Sequence, residues 1–347
     1  MQEGGNGTFG LSIGAKNTSG VASANASMAI WRCPYKQRKL SCAARDRALR
    51  EIQSNNHVLC LWEGNTAHVP EQISYVNKPL HFRWDRGCNP IQPGTLFAVM
   101  SETHASQSTA CCGNDTYKIF MATEPPDVFP ETYTVMRSVA SHFDLVLSLG
   151  GPEFYAAQNV LHWPYGSSWV PLDEWRVYPK SRLCSIIVSN KMEAPGHKLR
   201  HEAVAMLRSV GFDCEVLGRG YKPMATKREA LEDFMFSIVI ENSISGSGAY
   251  MTEKIIDALA CGTVPVYWGA ETVPQIFGEG VITWNSLEDL RALLPSLTPQ
   301  LYAELEPHIA ANVERARSFV PPERWLWENI FSCAYDWLAK NSMSACT

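Results

Sequence analysis

The stretch from Phe236 to Gly269 reads FSIVIENSISGSGAYMTEKIIDALACGTVPVYWG, and it decides the fold. The run Phe236–Ile240 is apolar and rich in β-branched residues, which is typical of a buried strand. Thr252–Ala260 has the pattern of a helix, and Thr263–Tyr267 is a second apolar run closed by a glycine. Because parallel strands need a helical crossover of this kind, the stretch predicts an α/β fold.

The same alternation of strands and helices continues on both sides of this stretch. Further strands are predicted at Cys184–Val188, Glu215–Leu217 and Val281–Trp284. Further helices are predicted at Leu199–Val210, Arg228–Asp233 and Leu287–Leu294. Ligands of parallel sheets bind beyond the carboxyl ends of the strands. The loops expected to carry a site are therefore those after Val188, Leu217, Ile240 and Tyr267.

The first half of the chain carries a weaker version of the same pattern. Strands are predicted at Val58–Trp62, Leu96–Met100, Lys118–Met121 and Phe143–Leu147. Helical patterns lie near Arg47–Ile52 and Thr132–Ser141. We therefore predict a leader over residues 1–28 that is disordered, an α/β domain over 29–178, and a second α/β domain over 179–347. An irregular linker is predicted over Gly166–Lys180, and the second domain is expected to end in the aromatic-rich helix Pro321–Lys340.

Composition excludes some classes of protein and leaves others open. The 347 residues are 46% hydrophobic, which is enough for packed cores, and the formal net charge is −5. A net negative charge argues against a broad nucleic-acid surface, so no nucleic-acid partner is expected. No stretch reaches the about 20 apolar residues of a membrane span, and no signal peptide is visible. Asn114 opens an N-x-Thr glycosylation pattern, which matters only in a secreted chain.

The start of the helix near Thr252 combines features suited to a phosphate. Thr252 is a good N-cap, and the free amides of a first turn favour an anion. Lys254 adds a full positive charge there, and Tyr250, Glu253 and Lys254 are spaced to face one pocket. A carboxylate such as Glu253 suits a sugar or ribose hydroxyl. The alternative is an ordinary capped helix with a solvated Glu-Lys pair.

The same run resembles the signature of the α-1,3/1,4-fucosyltransferases, glycosyltransferase family 10. That family has an apolar strand, Glu-Asn, a short loop, Tyr-x-Thr-Glu-Lys, a helix and a Pro-Val-x-x-Gly strand end. Here the corresponding segments are Phe236–Ile240, Glu241-Asn242, Tyr250–Lys254 and Val264–Gly269. The resemblance implies that Asn242, Tyr250, Glu253 and Lys254 bind the nucleotide-sugar donor. The loop from Ser243 to Ala249 looks slightly longer than in bacterial members.

A weaker match to the family lies upstream, around the helix that follows the strand at Val188. Val188-Ser189-Asn190 followed by Lys198-Leu199-Arg200 resembles the family's strand, Ser-Asn and helix segment. In that family an arginine of this helix contacts the donor phosphates, and Arg200 is the candidate. Lys198 is a rival, but the planar guanidinium suits bidentate contact with phosphate better. The alternative is a solvated helix arginine.

A candidate catalytic residue follows the strand near Phe120. Phe120–Pro126 resembles the family's strand followed by a glutamate that is the proposed catalytic base, which makes Glu124 the candidate base here. Prolines fix the loop, and a carboxylate at a strand end can face a cleft. A turn-capping glutamate is the alternative. His162–Gly166 resembles the family's Pro-Tyr-Gly element, with a packing or donor-proximal role. Trp163 and Trp169 are candidates for stacking on acceptor sugars.

The resemblance implies a GT-B-like arrangement of two Rossmann-like domains with parallel sheets facing a cleft. It implies an inverting transfer of fucose from GDP-fucose to a glycan or glycoprotein hydroxyl, with O3 of GlcNAc as the expected position. No cofactor or metal is expected to be required, although stimulation of the transfer reaction by Mn²⁺ is compatible with the resemblance. Eukaryotic members are Golgi proteins, so the secretory lumen is expected for a eukaryotic source, with membrane association only through an anchor not visible here. Two rivals stay open: another GT-B nucleotide-sugar transferase, and a non-catalytic carbohydrate- or nucleotide-binding protein.

Overall fold

The computed structural model describes residues 40–54, 57–62, 82–86, 94–100, 113–149, 159–162, 168–244, 250–319 and 325–341. For 57–62, 82–86 and His162 only the backbone is described. All of these residues belong to one unit, Cys33–Thr347, which carries two sheets. The leader predicted over 1–28 lies outside the described residues.

The first sheet has six parallel strands in the order β2-β1-β3-β4-β5-β6. Its strands are β1 (His57–Trp62), β2 (Phe82–Arg86), β3 (Phe97–Met100), β4 (Tyr117–Ala122), β5 (Leu145–Ser148) and β6 (Val160–His162). Its helices are α1 (Cys42–Ser54) and α2 (Pro130–Val139), and a 3₁₀ turn follows at Ala140–His142. Alternate residues of β3 and β4 pack against α2 around Phe120, Tyr133 and Met136.

The second sheet has five parallel strands in the order β11-β10-β9-β7-β8. Its strands are β7 (Arg182–Ile187), β8 (Cys214–Leu217), β9 (Phe234–Ile240), β10 (Val264–Trp268) and β11 (Ile282–Thr283). Its helices are α3 (Pro195–Ser209), α4 (Glu253–Ala260), α5 (Val273–Phe277), α6 (Leu287–Leu293), α7 (Pro299–Glu304) and α8 (Glu306–Ala316). The strand order reverses between β7 and β9, and doubly wound sheets bind ligands at such a switch point.

The central strand β9 explains why helices cover both faces of this sheet. Phe236, Ile238 and Ile240 point to one face, where they pack with α3 and α6. Val239 points to the other face and joins the cluster that contains Ile255 of α4. A strand buried on both faces is apolar throughout rather than alternating, as the sequence here is. The predicted α/β class with two parallel sheets is confirmed, and the GT-B-like arrangement stays a prediction.

The end of the chain returns to the first sheet. A π-helical turn at Trp327–Phe331 continues into α9 (Ser332–Asn341), which packs on α1. The Phe331 ring lies 4.5 Å from the ring of Phe97 on β3, and the Tyr335 hydroxyl donates to Glu51 of α1. The sequence reading placed this helix in the second domain. The structure places the helix against the first sheet instead, because its aromatic face covers β3 and α1.

Two other local expectations also differ from the structure. The helix predicted at Arg228–Asp233 is only a 3₁₀ turn at Arg228–Ala230, because β9 already begins at Phe234 and leaves no room for a longer helix. In the predicted linker, Val170, Trp175 and Tyr178 pack into the core of the second sheet. Within the described part of the chain, no helix has the length and apolar character that a membrane crossing requires.

Candidate functional site

A cleft of about 710 Å³ opens at the carboxyl ends of β4, β7 and β9. Thr123 and Glu124 line it from the first sheet, and most of the remaining lining comes from the second. All six predicted site residues line this cleft: Glu124, Arg200, Asn242, Tyr250, Glu253 and Lys254. The structure therefore brings these residues together, although their roles stay predictions.

The first turn of α4 is held by a buried polar network around Glu241. The Glu241 carboxylate is fully buried and accepts hydrogen bonds from the backbone N of Thr252 at 2.9 Å and from its Oγ1 at 2.6 Å. Thr252 Oγ1 accepts in turn from the backbone N of Lys254 at 3.4 Å, so it caps the helix as predicted. A buried carboxylate needs such donors, and this one fixes where the helix begins.

The Lys254 ammonium is strongly engaged by the protein itself. Its Nζ donates to Thr252 Oγ1 at 2.9 Å and to Glu253 Oε1 at 3.1 Å, and it lies 3.5 Å from Glu241 Oε2. Burial acts to lower the pKa of Lys254, but the Glu253 and Glu241 carboxylates outweigh it and raise that pKa. Lys254 is thus a permanent cation held at the start of α4, in the cleft wall.

Arg200 reaches the cleft from α3 and ties it to the end of β9. Its Nε donates to the Ile240 carbonyl at 3.0 Å, Nη2 donates to the same carbonyl, and Nη2 also donates to Asn242 Oδ1 at 3.1 Å. The rival Lys198 is exposed and is not part of the cleft lining. The structure favours Arg200 over Lys198 as the cleft cation of this helix, and it adds a positioning contact to Asn242.

The Glu124 carboxylate faces these residues from the opposite wall of the cleft. Its Oε2 accepts from Asn242 Nδ2 at 3.4 Å and from the Tyr250 hydroxyl at 3.3 Å. Nearby, Ser243 Oγ donates to Asp127 Oδ2 at 2.6 Å. This is a further hydrogen bond between the loop after β4 and the loop after β9. Burial, and next the charge of Glu124, hold the pKa of Tyr250 well above its usual range. Tyr250 is therefore a neutral hydrogen-bond donor to Glu124.

Sequence reasoning missed several residues that build or line this cleft. Gly196 stands where a Cβ would overlap the Glu241 carbonyl, so α3 can approach β9 only with glycine there. His197 Nδ1 accepts from the Ala194 backbone N at 3.1 Å, which leaves Nε2 to carry the proton. Burial, followed by the charge of Arg200, lowers the pKa of His197. The Pro195-Gly196 pair, which forms the start of α3, was the available signal for the close approach.

Two charged side chains, Lys227 and Asp257, were also missed. Both line the cleft, and Asp257 lies one turn beyond Glu253 on α4. Burial raises the pKa of Asp257 to about 7, and the charge of Lys227 opposes that rise. Burial lowers the pKa of Lys227, and the charges of Asp257 and Glu253 oppose that change. Burial would also raise the pKa of Glu253, but Lys254 and Lys227 together lower it.

Some predicted features cannot be placed. Trp163 and the Pro-Tyr-Gly element lie outside the described residues, apart from the backbone of His162. The loop predicted to be longer than usual is described only as far as Ile244. Trp169 is described, and its 41% exposed side chain lines the cleft. In the described ranges, no three His, Cys, Asp or Glu side chains gather as a metal ion would require.

Comparison with known proteins agrees with the motif around α4. The model of the family described as Glycosyltransferase family 10 (fucosyltransferase) C-term matches residues 177–298. The alpha-(1,3)-fucosyltransferase FucT of Helicobacter pylori is 33% identical over 102 residues, which are 28% of this chain and 20% of that protein. The chain therefore aligns with about a fifth of the length of this curated relative.

Solved structures give weaker likenesses. TarM has a TM-score of 0.47 and 12% identity, over 72% of this chain and 55% of that one. The glycosyltransferase SnogD from Streptomyces nogalater has a TM-score of 0.36 and 13% identity, over 86% of this chain and 81% of that one. These likenesses do not bear on chemistry. Residues 177–298 are thus similar in sequence to the C-terminal part of glycosyltransferase family 10, the fucosyltransferases.

Proposed function

We propose that this chain transfers fucose from GDP-fucose to a hydroxyl of a glycan acceptor, with inversion at the anomeric carbon. The observation that carries the proposal is the position of Glu124. Its carboxylate comes from the first sheet, yet it lies within 3.4 Å of Asn242 and Tyr250 of the family motif. A carboxylate from one wall therefore meets the expected donor site on the other.

The donor diphosphate would lie at the start of α4. The helix dipole favours an anion there, and Lys254 and Arg200 add positive charge. These groups would stabilise the charge that develops on departing GDP. Glu253 would accept hydrogen bonds from hydroxyls of the nucleotide sugar, because Lys254 and Lys227 keep it ionised.

Glu124 would act as the base. The acceptor oxygen would form a bond to the anomeric carbon while the bond from that carbon to the phosphate oxygen breaks. Glu124 would take the hydroxyl proton, and GDP would leave with the bonding electron pair. A single in-line displacement of this kind inverts the configuration. Asn242 and Tyr250 would hold the carboxylate in place.

The donor is tested by GDP release and by product mass, using the whole chain with GDP-fucose, GDP-mannose and UDP-sugars. The expected result is turnover with GDP-fucose and a product heavier by one fucose. Turnover only with another donor would replace the substrate and would favour the rival GT-B transferase.

The base is tested by Glu124→Gln. We expect transfer to fall by at least about a hundredfold, since general base catalysis contributes on that order, while GDP affinity changes little. Glu131→Gln is the matched control, because Glu131 is exposed on α2 and is not among the residues that line the cleft. Wild-type turnover in Glu124→Gln would rule out this base. Donor binding with no turnover in the wild type, over a broad acceptor panel, would favour the non-catalytic binding protein.

The acceptor position is tested with GlcNAc-terminated acceptors that carry either a free or a methylated O3. Loss of transfer on methylation, with transfer kept on an O4-methylated acceptor, is the expected pattern. The reverse pattern would move the linkage to O4.

Metal dependence is tested by treatment with EDTA. Because protein cations line the site, turnover is expected to persist in EDTA, and added Mn²⁺ is expected to do no more than stimulate it. Turnover that is lost in EDTA and restored by Mn²⁺ would make the metal a requirement.

For a eukaryotic source we propose a Golgi or secretory-lumen location, which rests on the family resemblance alone. Asn114 offers a readout, since it is exposed and opens an N-x-Thr pattern. A glycosidase-sensitive mass shift that disappears in Asn114→Gln is expected in cells of the source. The proposed location would be refuted if no such mass shift is found and microscopy places the protein in the cytosol.

A further inference from the structure

Two thiols lie side by side at the edge of the second sheet. Strands β7 and β8 are parallel neighbours, and their register sets Cys184 opposite Cys214. Both side chains lie on the sheet face that α3 covers, and both pack in the same hydrophobic cluster. Both are free thiols in this structure. The fold therefore brings together two cysteines that are distant in the sequence.

The spacing of the two cysteines suits a disulfide. A disulfide needs Cα atoms about 4.4 to 6.8 Å apart, and neighbouring strands of a sheet lie about 4.7 to 4.9 Å apart. Burial, and next a hydrogen bond with the Cys214 thiol, hold the pKa of Cys184 well above its usual range. Among the described strands, β8 pairs with β7 alone, so this edge strand can make the small shift that closes the bond.

The two thiols differ in their access to solvent. Cys214 lines a groove of about 560 Å³ on the surface, between Arg208 of α3 and Lys222. Cys184 is only 2% exposed. A dissolved disulfide therefore reaches Cys214 first. This arrangement suits a two-step exchange, in which the accessible thiol reacts with the oxidant and the buried thiol then displaces it.

We propose that Cys184 and Cys214 are a redox modification site, at which a disulfide between β7 and β8 forms in an oxidising thiol buffer. The inference goes beyond the proposed function and does not depend on it. Neither cysteine is among the residues that line the donor cleft.

The oxidant in this proposal is glutathione disulfide. The Cys214 thiol loses its proton and attacks one sulfur of the oxidant, so a mixed disulfide forms and one glutathione leaves as a thiolate. The Cys184 thiol then loses its proton and attacks the Cys214 sulfur, and the second glutathione leaves. The two departing thiolates take up the two protons. The chain is thus oxidised by two electrons, and one glutathione disulfide is reduced to two glutathione molecules.

The bond fastens the edge of the second sheet. Strand β8 ends at Leu217, and the next two residues, Gly218 and Arg219, line the donor cleft. A cross-link at the start of β8 prevents this strand from separating from β7, and it also restricts the unfolded chain. Oxidation is therefore expected to slow hydrogen exchange in β8 and to raise the melting temperature.

The test compares the whole chain after incubation with glutathione disulfide and after incubation with dithiothreitol. Each sample is quenched with acid, its free thiols are alkylated in denaturant, and the unreduced peptides are analysed by mass spectrometry. A peptide that joins Cys184 to Cys214 is expected only after oxidation. The oxidised chain is expected to melt at least about 4 °C above the reduced chain.

Cys184→Ala and Cys214→Ala are each expected to abolish this linked peptide and to remove most of the gain in melting temperature. Cys261→Ala is the matched control, because Cys261 is buried in the cluster on the opposite face of the sheet. It is expected to keep both the linked peptide and the gain. Each variant is also melted in dithiothreitol, which separates a loss of folding from a loss of the bond.

Two results would overturn the proposal. One is a wild-type chain in which Cys214 carries glutathione while Cys184 is still alkylated. The other is a gain in melting temperature on oxidation that is equally large in the wild type and in both cysteine variants of the pair.

Discussion

At the scale of single residues, Lys254 serves the fold and the proposed donor together. Its ammonium lies against Thr252, Glu253 and the buried Glu241, so its charge is partly balanced before any ligand arrives. A diphosphate at this point would therefore depend on the whole set of cleft cations. Lys254 and its pairing with Glu253 could be predicted from the motif, but its contact with Glu241 could not, because Glu241 reaches it from another loop.

Lys254→Ala is expected to weaken GDP binding at least tenfold and also to lower the melting temperature. The second effect follows because a fully buried Glu241 carboxylate loses its nearest cation, and an uncompensated buried charge is strongly destabilising. Calorimetry and thermal unfolding measure the two effects. Lys198→Ala, on the exposed side of α3, is the control expected to change neither. A Lys254→Ala protein with wild-type GDP affinity would contradict the diphosphate position.

Asp257 gives a pH prediction. The folded chain keeps the proton of this carboxyl up to about pH 7, whereas the unfolded chain releases it near 3.8. Between these values the folded state binds more protons, so the contribution of Asp257 to the free energy of unfolding falls as the pH rises. Relative to Asp257→Asn, the wild type should lose roughly 2 to 4 kcal/mol between pH 4 and pH 8. Denaturant unfolding at both pH values measures this, and a constant difference would contradict it.

At the scale of elements, α4 is the helix whose start matters most. Thr252 caps it and is 2% exposed, and its hydroxyl donates to Glu241 at 2.6 Å. Thr252→Ala removes both the cap and a donor to a buried carboxylate. A loss of about 2 to 3 kcal/mol in the free energy of unfolding is expected. Thr252→Ser keeps the hydroxyl and is expected to lose less than about 1 kcal/mol; equal losses in both variants would refute the role of the hydroxyl.

The strands show which parts of the fold can be predicted from the sequence. Phe236–Ile240 was predicted as a strand and is one, because a doubly covered strand is apolar along its whole length. The short strands Phe82–Arg86 and Val160–His162 were missed, since a few residues carry too little pattern to be told from a loop. The hydrogen bond from Ser168 to Asp257 could not be predicted from the sequence. It joins residues 89 positions apart, and only the packing of the chain brings them together.

At the scale of the whole molecule, the chain visits the first sheet, then the second, and then the first again. The Tyr335 hydroxyl of α9 donates to the buried Glu51 of α1, and the Phe331 ring packs on Phe97. The domain boundaries from sequence missed this return. An aromatic-rich helical pattern indicates only that the helix packs on an apolar surface, and both sheets have such a surface.

Tyr335→Phe is expected to cost about 1 to 2 kcal/mol, because it removes one donor from a buried carboxylate. Tyr302→Phe is the matched variant for the other half, since the Tyr302 hydroxyl donates to the Gly262 carbonyl at 2.8 Å. Hydrogen exchange should quicken in α1 and β3 for the first variant and around β9 and β10 for the second. Faster exchange confined to the second sheet in Tyr335→Phe would contradict the docking of α9.

This double crossing limits how the two halves can open. If the chain passed between the two halves only once, either half could rotate freely about that single connection. Here the chain enters the second sheet at β7 (Arg182–Ile187) and packs on the first half again in α9 (Ser332–Asn341), so two chain connections join the two halves. A rotation of one half about an axis that passes through both connections would strain neither of them. A rotation about any other axis would strain at least one connection. Opening to admit the proposed donor and closing to bring Glu124 back to Tyr250 would then follow one path in reverse directions.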